Sequence, residues 1–278
     1  DLGVVVAECR GGHDLEGVTV AQFSPMVRAR RAVQLGRGVM PEPVQPTWDQ
    51  LINGSLDTHY VELRGIATAV ESNRVTLLTS GGKIQAQLSE TAPEQIQPHE
   101  GALIRIRGCL WAVKDEVTHV FKIGEVQIRS AVINVDEPPP AYPFAAPLKR
   151  AGELLLFDAQ AAILKQVKVA GQVVHMRAGE YYLMDGTNGL RFLPRAAVRL
   201  DVGDQVEVVG FPELGGPSPV LREALVQRTG HADLPPPREL AEGSWPVGEL
   251  DATRVRMEAL LLNLSKDKQD QVFGLQAG

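Results

Sequence analysis

The residues able to do chemistry in this chain are few and scattered. The six histidines are His13, His59, His99, His119, His175 and His231. No two of them stand four apart on one helical face, so no zinc signature forms and they read as surface or turn residues. Two cysteines, Cys9 and Cys109, are too few for a disulfide framework or a thiolate metal site. Asp185-Gly186-Thr187-Asn188 opens like a calcium loop but lacks the twelve-residue ligand spacing and the closing glutamate, so it reads as a hairpin turn. No Gly-x-Ser-x-Gly elbow surrounds Ser24, Ser218 or any other serine. The carboxylate pair Asp115 and Glu116 reads as solvated loop charge. The expectation is therefore a non-catalytic chain with no catalytic residue, no metal and no cofactor. Arg28, Arg30, Arg31 and Arg37 form a basic cluster. They would suit an acidic ligand or nucleic acid, but in a chain of net charge −6 they read as a solvated strand face.

Composition narrows the class further. At 278 residues the chain can hold two or three domains, and 44% hydrophobic with 22% charged residues is ordinary for a water-soluble fold. Negative net charge disfavours broad phosphate-backbone binding, and 5% aromatic residues is thin for a base-stacking surface. No run of 18 apolar residues is present, so no helical membrane span falls within the sequence.

The elements that must position any site are strands. Gly179-Glu-Tyr-Tyr-Leu-Met-Asp-Gly-Thr-Asn-Gly-Leu-Arg-Phe-Leu193 reads as strand, tight turn, strand, with side chains alternating between two faces. Ahead of it, strands are expected at 3–10, 26–35, 60–70, 74–78, 83–88, 102–113 and 121–135. Ser80-Gly81-Gly82 turns a second hairpin, Thr47 caps one helical turn from Trp48 to Leu51, and 91–99 holds a loop with a short helix. Pro-rich stretches at 40–47, 137–143 and 234–237 read as semi-rigid linkers.

This order repeats. Val167-Lys-Val-Ala-Gly-Gln-Val-Val174 matches Val61-Glu-Leu-Arg-Gly-Ile-Ala-Thr68 position for position. Tyr181–Leu193 matches Val75–Gln87 without a gap, and Val206–Phe211 matches Ile104–Cys109. A fourth copy starts at Val255, and Val272–Gly278 aligns with the first arm of the hairpin at Tyr181. Val4–Cys9 is assigned to the fourth-strand slot of a first copy, which places Cys9, Cys109 and Phe211 in one apolar position. The expected division is 1–40 as the C-terminal half of a truncated unit, 48–136 and 150–233 as complete units, and 244–278 as the N-terminal part of another. The chain is thus expected to be a piece of a longer, duplicated protein.

Each full unit has five strands, an insertion after the third, and a glycine within strand one (Gly65, Gly171) and strand four (Gly108, Gly210). Glycines inside strands mark bends of the kind that closes a small barrel. The expected fold is all-β: tandem five-stranded OB-like Greek-key barrels joined by Pro-rich linkers. A small sandwich fits the alternation equally well but not the paired glycines. Val61, Leu63, Val75, Leu77, Ile84, Ala86, Ile104 and Ile106 should point inward in one unit. In the next, the inward set is Val167, Val169, Tyr181, Leu183, Leu190, Phe192, Val206 and Val208.

The hairpin Tyr181–Leu190, with its aromatic-x-Leu-x-Asp-Gly-x-x-Gly-hydrophobic pattern, resembles bacterial OB-type modules. Met40–Leu51, Gly54–Gly65 and Phe23–Arg31 resemble segments in the tandem extracytoplasmic region of membrane-bound sensor histidine kinases. The second unit departs from the pattern, with Thr79-Ser80-Gly81-Gly82 where Asp-Gly would stand. The resemblance implies a sensory array on the periplasmic side of a bacterial inner membrane, anchored only through a span elsewhere in a parent protein, and admits a homodimer. No kinase motif occurs in the chain itself. An OB barrel binds through the outer face of strands two and three and the neighbouring loops. That assigns Tyr182, Met184 and Arg191, with Trp111 from the other unit, as candidate contacts for an unknown small ligand or protein. The expected function is a non-catalytic sensory or binding array. Single-stranded nucleic-acid binding is the alternative, disfavoured by charge, and an accessory carbohydrate- or peptide-binding module is a third reading.

Overall fold

A computed structural model describes residues 11–20, 26–39, 41–91, 93–96, 99–115, 117–118, 120–154, 164–177, 179–213, 218–240, 250–267 and 270–276. The protein is all-β and divides into two units, Asp1–Pro140 and Ala141–Gly278. The first opens with an antiparallel hairpin, β1 (Gly11–Val20) and β2 (Met26–Arg37), then a short helix α1 (Trp48–Ile52). Five strands follow: β3 (Tyr60–Glu71), β4 (Arg74–Leu78), β5 (Lys83–Ser89), β6 (Leu103–Lys114) and β7 (Phe121–Glu137), with helix α2 (Pro93–Ile96) after the third. They close into a barrel in the order β3-β4-β5-β7-β6. All neighbours are antiparallel except β5 and β7, which run parallel.

In the second unit a 3-10 turn (Pro143–Ala145) and helix α3 (Ala151–Leu154) precede a like arrangement of strands. Strands β8 (Val167–Arg177), β9 (Glu180–Asp185), β10 (Asn188–Pro194), β11 (Asp204–Glu213) and β12 (Val220–His231) close in the order β10-β12-β11-β8-β9. Again only the third and fifth strands pair parallel. Two-residue strands β13 (Arg238–Glu239) and β14 (Val255–Arg256) pair parallel, and a hairpin of β15 (Leu260–Asp267) and β16 (Asp270–Gln276) ends the unit.

Both interiors are filled by the alternating residues expected from the pattern. Val61, Leu63, Val75, Leu77, Ile84, Ala86, Ile104 and Ile106 form one core together with Leu88, Leu110 and Ile128. Val167, Val169, Leu183, Leu190, Phe192, Val206 and Val208 form the other, with Tyr181 packed against it. The Tyr181 ring stacks on Phe192 at 5.2 Å between centroids.

The paired glycines explain how each barrel closes. Val61 faces Gly108 and Gly65 faces Ile104. In the second barrel Val167 faces Gly210 and Gly171 faces Val206, so the two barrels share one register. A Cβ on Gly65 would sit 2.7 Å from the Leu78 carbonyl oxygen, and one on Gly171 2.5 Å from that of Met184. A Cβ on Gly108 would meet the Arg129 oxygen at 2.7 Å, and one on Gly210 the Arg222 oxygen at 2.9 Å. Strand one thus crosses strand two, and strand four crosses strand five, at separations only glycine allows. The ladder bulges at Gly108 and Gly210, and the fifth strands answer with left-handed residues, Ser130 at φ 51° and Glu223 at φ 52°.

Val4–Cys9, the segment assigned to the fourth-strand slot of a first copy, lies outside the described residues. A Cβ on Gly17 would strike the Arg28 carbonyl oxygen and the Ala29 Cα, as Gly108 would strike Arg129 and Ala131, and Gly210 would strike Arg222 and Ala224. The β1–β2 ladder also shifts register beside Gly17. At the other end, β15–β16 shifts register between Leu261 and Asn263, as β8–β9 does between Val173 and His175.

Residues in or just after the Pro-rich stretches make short parallel pairings with a strand further along the chain. Val44 bridges Val61 in parallel, donating to the Tyr60 carbonyl at 2.9 Å and accepting from Glu62 at 2.9 Å. Leu148 bridges Lys168 in the same way, and Arg238–Glu239 does so beside Val255–Arg256. A short helix follows the first two bridges. In α1, Thr47 and Gln50 form a reciprocal capping box, and Trp48 packs against the Gly81–Gly82 turn. At the start of α3, the Ala151 N–H donates to the Asp185 carboxylate at 3.0 Å, and Gly152 packs against Asn188. The hairpin-turn reading of Asp185-Gly186-Thr187-Asn188 holds, with Gly186 at φ 61°, and its aspartate also serves the first turn of α3.

Candidate ligand-binding faces

Tyr182, Met184 and Arg191 lie together on the outer face of β9–β10. Alternation turns Leu183, Leu190 and Phe192 into the core, while Arg191 stands directly opposite Tyr182 and Gly189 opposite Met184. The Tyr182 hydroxyl donates to Glu180 Oε2 at 3.3 Å, and Arg191 Nη1 lies 3.5 Å from Glu180 Oε1. The His175 ring meets Tyr182 edge-on at 5.2 Å. Burial first, then the negative charge of Glu180, raise the Tyr182 phenol above its ordinary range.

This face is covered by the same unit. Leu250–Arg254 crosses it so closely that a Cβ on Gly189 would strike the backbone of Asp251 and Ala252. The Arg254 N–H points at Met184 Sδ at 3.3 Å. Ser218 Oγ donates to Asp251 Oδ2 at 2.5 Å, and Arg191 Nε stands 3.7 Å from that same oxygen. That separation is too long for a hydrogen bond, and Arg191 Nε is buried without a hydrogen-bond partner. Tyr182, Met184 and Arg191 are all half-buried.

Trp111 is not part of this group. It lies on β6 of the first unit, opposite Gln127, and the Arg129 guanidinium sits 4.2 Å from its ring centroid. A cation already occupies one face of the indole.

Sequence reasoning missed a charged ladder on the outer face of β3 and β6. Arg107 Nε donates to Glu62 Oε2 at 2.5 Å, and Arg105 Nη1 lies 3.8 Å from the same oxygen. Arg105 Nε and Arg64 Nε reach Asp136 at 2.6 and 3.0 Å. Burial pushes the Asp136 carboxyl up, but the Arg64 and Arg105 hydrogen bonds and charges outweigh it, and the pKa ends below the usual carboxylate range. The signal was present as charges two apart, Glu62 and Arg64, Arg105 and Arg107, facing each other across paired strands. Beside the ladder, Gln45, Trp48, Leu51, Glu62, Arg64 and Ser80 line a cleft of about 200 Å³. That is smaller than the usual small-molecule pocket of roughly 300–1,000 Å³.

A polar cluster around Asp204 fastens a turn. Asp204, 1% exposed, accepts from the Asp201 N–H at 2.9 Å, His231 Nδ1 at 2.9 Å and Arg228 Nη2 at 2.9 Å. The Asp201 N–H foremost, then His231, holds the Asp204 carboxyl below the ordinary range. Among the described residues no group of three His, Cys, Asp or Glu side chains could hold a metal ion. Arg28, Arg30 and Arg31 are exposed along β2.

No protein-family model matches the chain, and no curated protein does. Among solved structures, the chain resembles one described as "Structural mimicry for functional antagonism". It is 11% identical over 60% of this chain and 88% of that one, with a TM-score of 0.25. It also resembles one described as a "putative aspartyl-tRNA synthetase from Leishmania major Friedlin". There it is 8% identical over 64% of this chain and 50% of that one, with a TM-score of 0.30.

Proposed function

We propose that the chain is a non-catalytic array of tandem OB-type barrels, acting as a sensory or scaffolding region that engages a small ligand or a protein. The observation that carries this reading is the common plan of the two barrels. Both close in the order one-two-three-five-four with a parallel third–fifth pair, and both place their two closing glycines in one register. Duplication of a closed barrel, each copy led in by a hydrogen-bonded Pro-rich segment, suits a modular array better than an enzyme. The resemblance of Phe23–Arg31, Met40–Leu51 and Gly54–Gly65 to sensor histidine kinase segments supports the extracytoplasmic part of a bacterial signalling receptor as its setting. That reading predicts a membrane span and a kinase domain encoded elsewhere in the same reading frame.

The nucleic-acid alternative needs free aromatic faces along a basic groove. Here Trp111 is capped by Arg129, and the Tyr182 face is crossed by Leu250–Arg254. The deciding experiment is a fluorescence-anisotropy titration of the full chain with a labelled single-stranded oligonucleotide at low salt. The array reading expects no saturable binding. Tight binding that weakens steeply with salt would overturn it.

A further inference from the structure

The β9–β10 face has the features of a receptor site for an acidic turn, independently of what the array as a whole recognises. Three features act on one short segment. Gly189 removes the side chain that would block backbone approach, since any Cβ there would strike Asp251 and Ala252 and nothing of its own barrel lies closer. Ser218, 4% exposed, and Arg191 converge on a single carboxylate oxygen of Asp251. Met184 accepts the Arg254 N–H. The bound segment is itself folded into a turn, with the Thr253 N–H and hydroxyl both bonded to the Leu250 carbonyl. On its far side it continues into β14, which pairs with β13 through Arg238 N–H to Arg254 O at 3.0 Å and Leu240 N–H to Arg256 O at 2.9 Å.

We infer that Leu250–Arg254 is a built-in ligand of the β9–β10 face, a strap whose Asp251 carboxylate is read by Ser218 and Arg191 over a clearance made by Gly189. A peptide or protein recognised on this face would carry a carboxylate-bearing turn and would have to displace the strap. The face is thereby a switchable joint between the second barrel and the strands that follow it.

The test is amide hydrogen exchange on the full chain carrying Gly189→Val or Asp251→Asn. Valine wedges the strap without entering the barrel core, and asparagine removes the charge read by Arg191. The expected result is exchange at Arg238 and Leu240 at least tenfold faster than in the parent chain, with Leu183 and Leu190 changed by less than twofold. Unchanged exchange at Arg238 and Leu240 in both variants would overturn the inference. So would equal acceleration through the whole barrel, which would make the segment part of the barrel's own cooperative fold. Should Gly189→Val fail to fold, Ser218→Ala probes the same carboxylate and is read against the same two outcomes. None of these outcomes bears on oligonucleotide binding, so the strap and the array reading fail separately.

Discussion

Gly171→Ala is a direct test of why the barrels close. The added methyl would lie 2.5 Å from Leu183 Cδ2 and 2.5 Å from the Met184 carbonyl oxygen. Leu183 is fully buried, and the Met184 oxygen belongs to the strand that β8 crosses, so neither can retreat without moving the core or the ladder. Forcing a methyl into such a site costs roughly 1–3 kcal/mol. The same substitution narrows the unfolded ensemble and returns about 0.4–1 kcal/mol. Taking the midpoints of those two ranges, about 2 and about 0.7 kcal/mol, the net expectation is a loss of about 1.3 kcal/mol. At about 1.4 kcal/mol per decade this is roughly eightfold faster exchange of the slowest amides in β8 and β9. Gly210→Ala should fall at the mild end, because its new methyl would meet the Arg222 oxygen at 2.9 Å and Leu221 Cβ at 3.1 Å. Gly230→Ala is the control. Its methyl would meet only the movable Gln205 side chain, and a change within about 0.5 kcal/mol is expected. If Gly171→Ala exchanged as slowly as the parent chain, the glycine would not be sterically required. The claim that one closing geometry was duplicated would then lose its physical basis.

Three further outcomes follow from named contacts. Phe192→Ala removes a fully buried ring stacked on Tyr181 and should cost about 3–5 kcal/mol, read as a lowered denaturation midpoint for the second barrel. Thr47→Ala breaks the capping box of α1 and should cost about 0.5–2 kcal/mol, seen as faster exchange at Gln50 and Leu51. Asp204 ionises below the ordinary carboxylate range in the folded state, so its contribution is complete above about pH 4 and is lost as pH falls through the lower folded value. The second barrel should therefore weaken on acidification below that point, and Asp204→Asn should flatten this part of a stability-versus-pH titration.

What the sequence disclosed was whatever depends on local alternation. Inward and outward sets, both hairpins, the Thr47 cap and the long strand through Gly108 all follow from period two and turn chemistry, and the structure places them so. The segment assigned to a fourth-strand slot, Val4–Cys9, lies outside the described residues, and what the structure describes there is the antiparallel hairpin β1–β2 with Gly17 opposite Ala29. The covering of Tyr182, Met184 and Arg191 could not be read from their own neighbourhood. Its cause, Asp251, lies far along the chain, and it carries no motif that announces where it docks.

Proline placement limits how far the segments at Val44, Leu148 and Arg238 pair with the strands they meet. Proline cannot donate to a ladder, so it confines pairing to the residues left between prolines. Between Pro43 and Pro46, only Val44 forms a bridge, donating to Tyr60 and accepting from Glu62. After Pro147 the pattern is again a single bridge, with the Pro147 carbonyl accepting from Lys168 and the Lys149 N–H donating back to it. The third segment keeps its prolines at 235–237, ahead of the contact, and there the pairing lengthens to two residues, Arg238 and Glu239. A segment held by one bridge and a capped helical turn is ordered against its own barrel at little cost in chain length. A continuous third strand would extend the sheet edge and invite pairing with other chains. The prolines thus limit the pairing of Val44 and Leu148 to one residue each against the first strand of the barrel that follows.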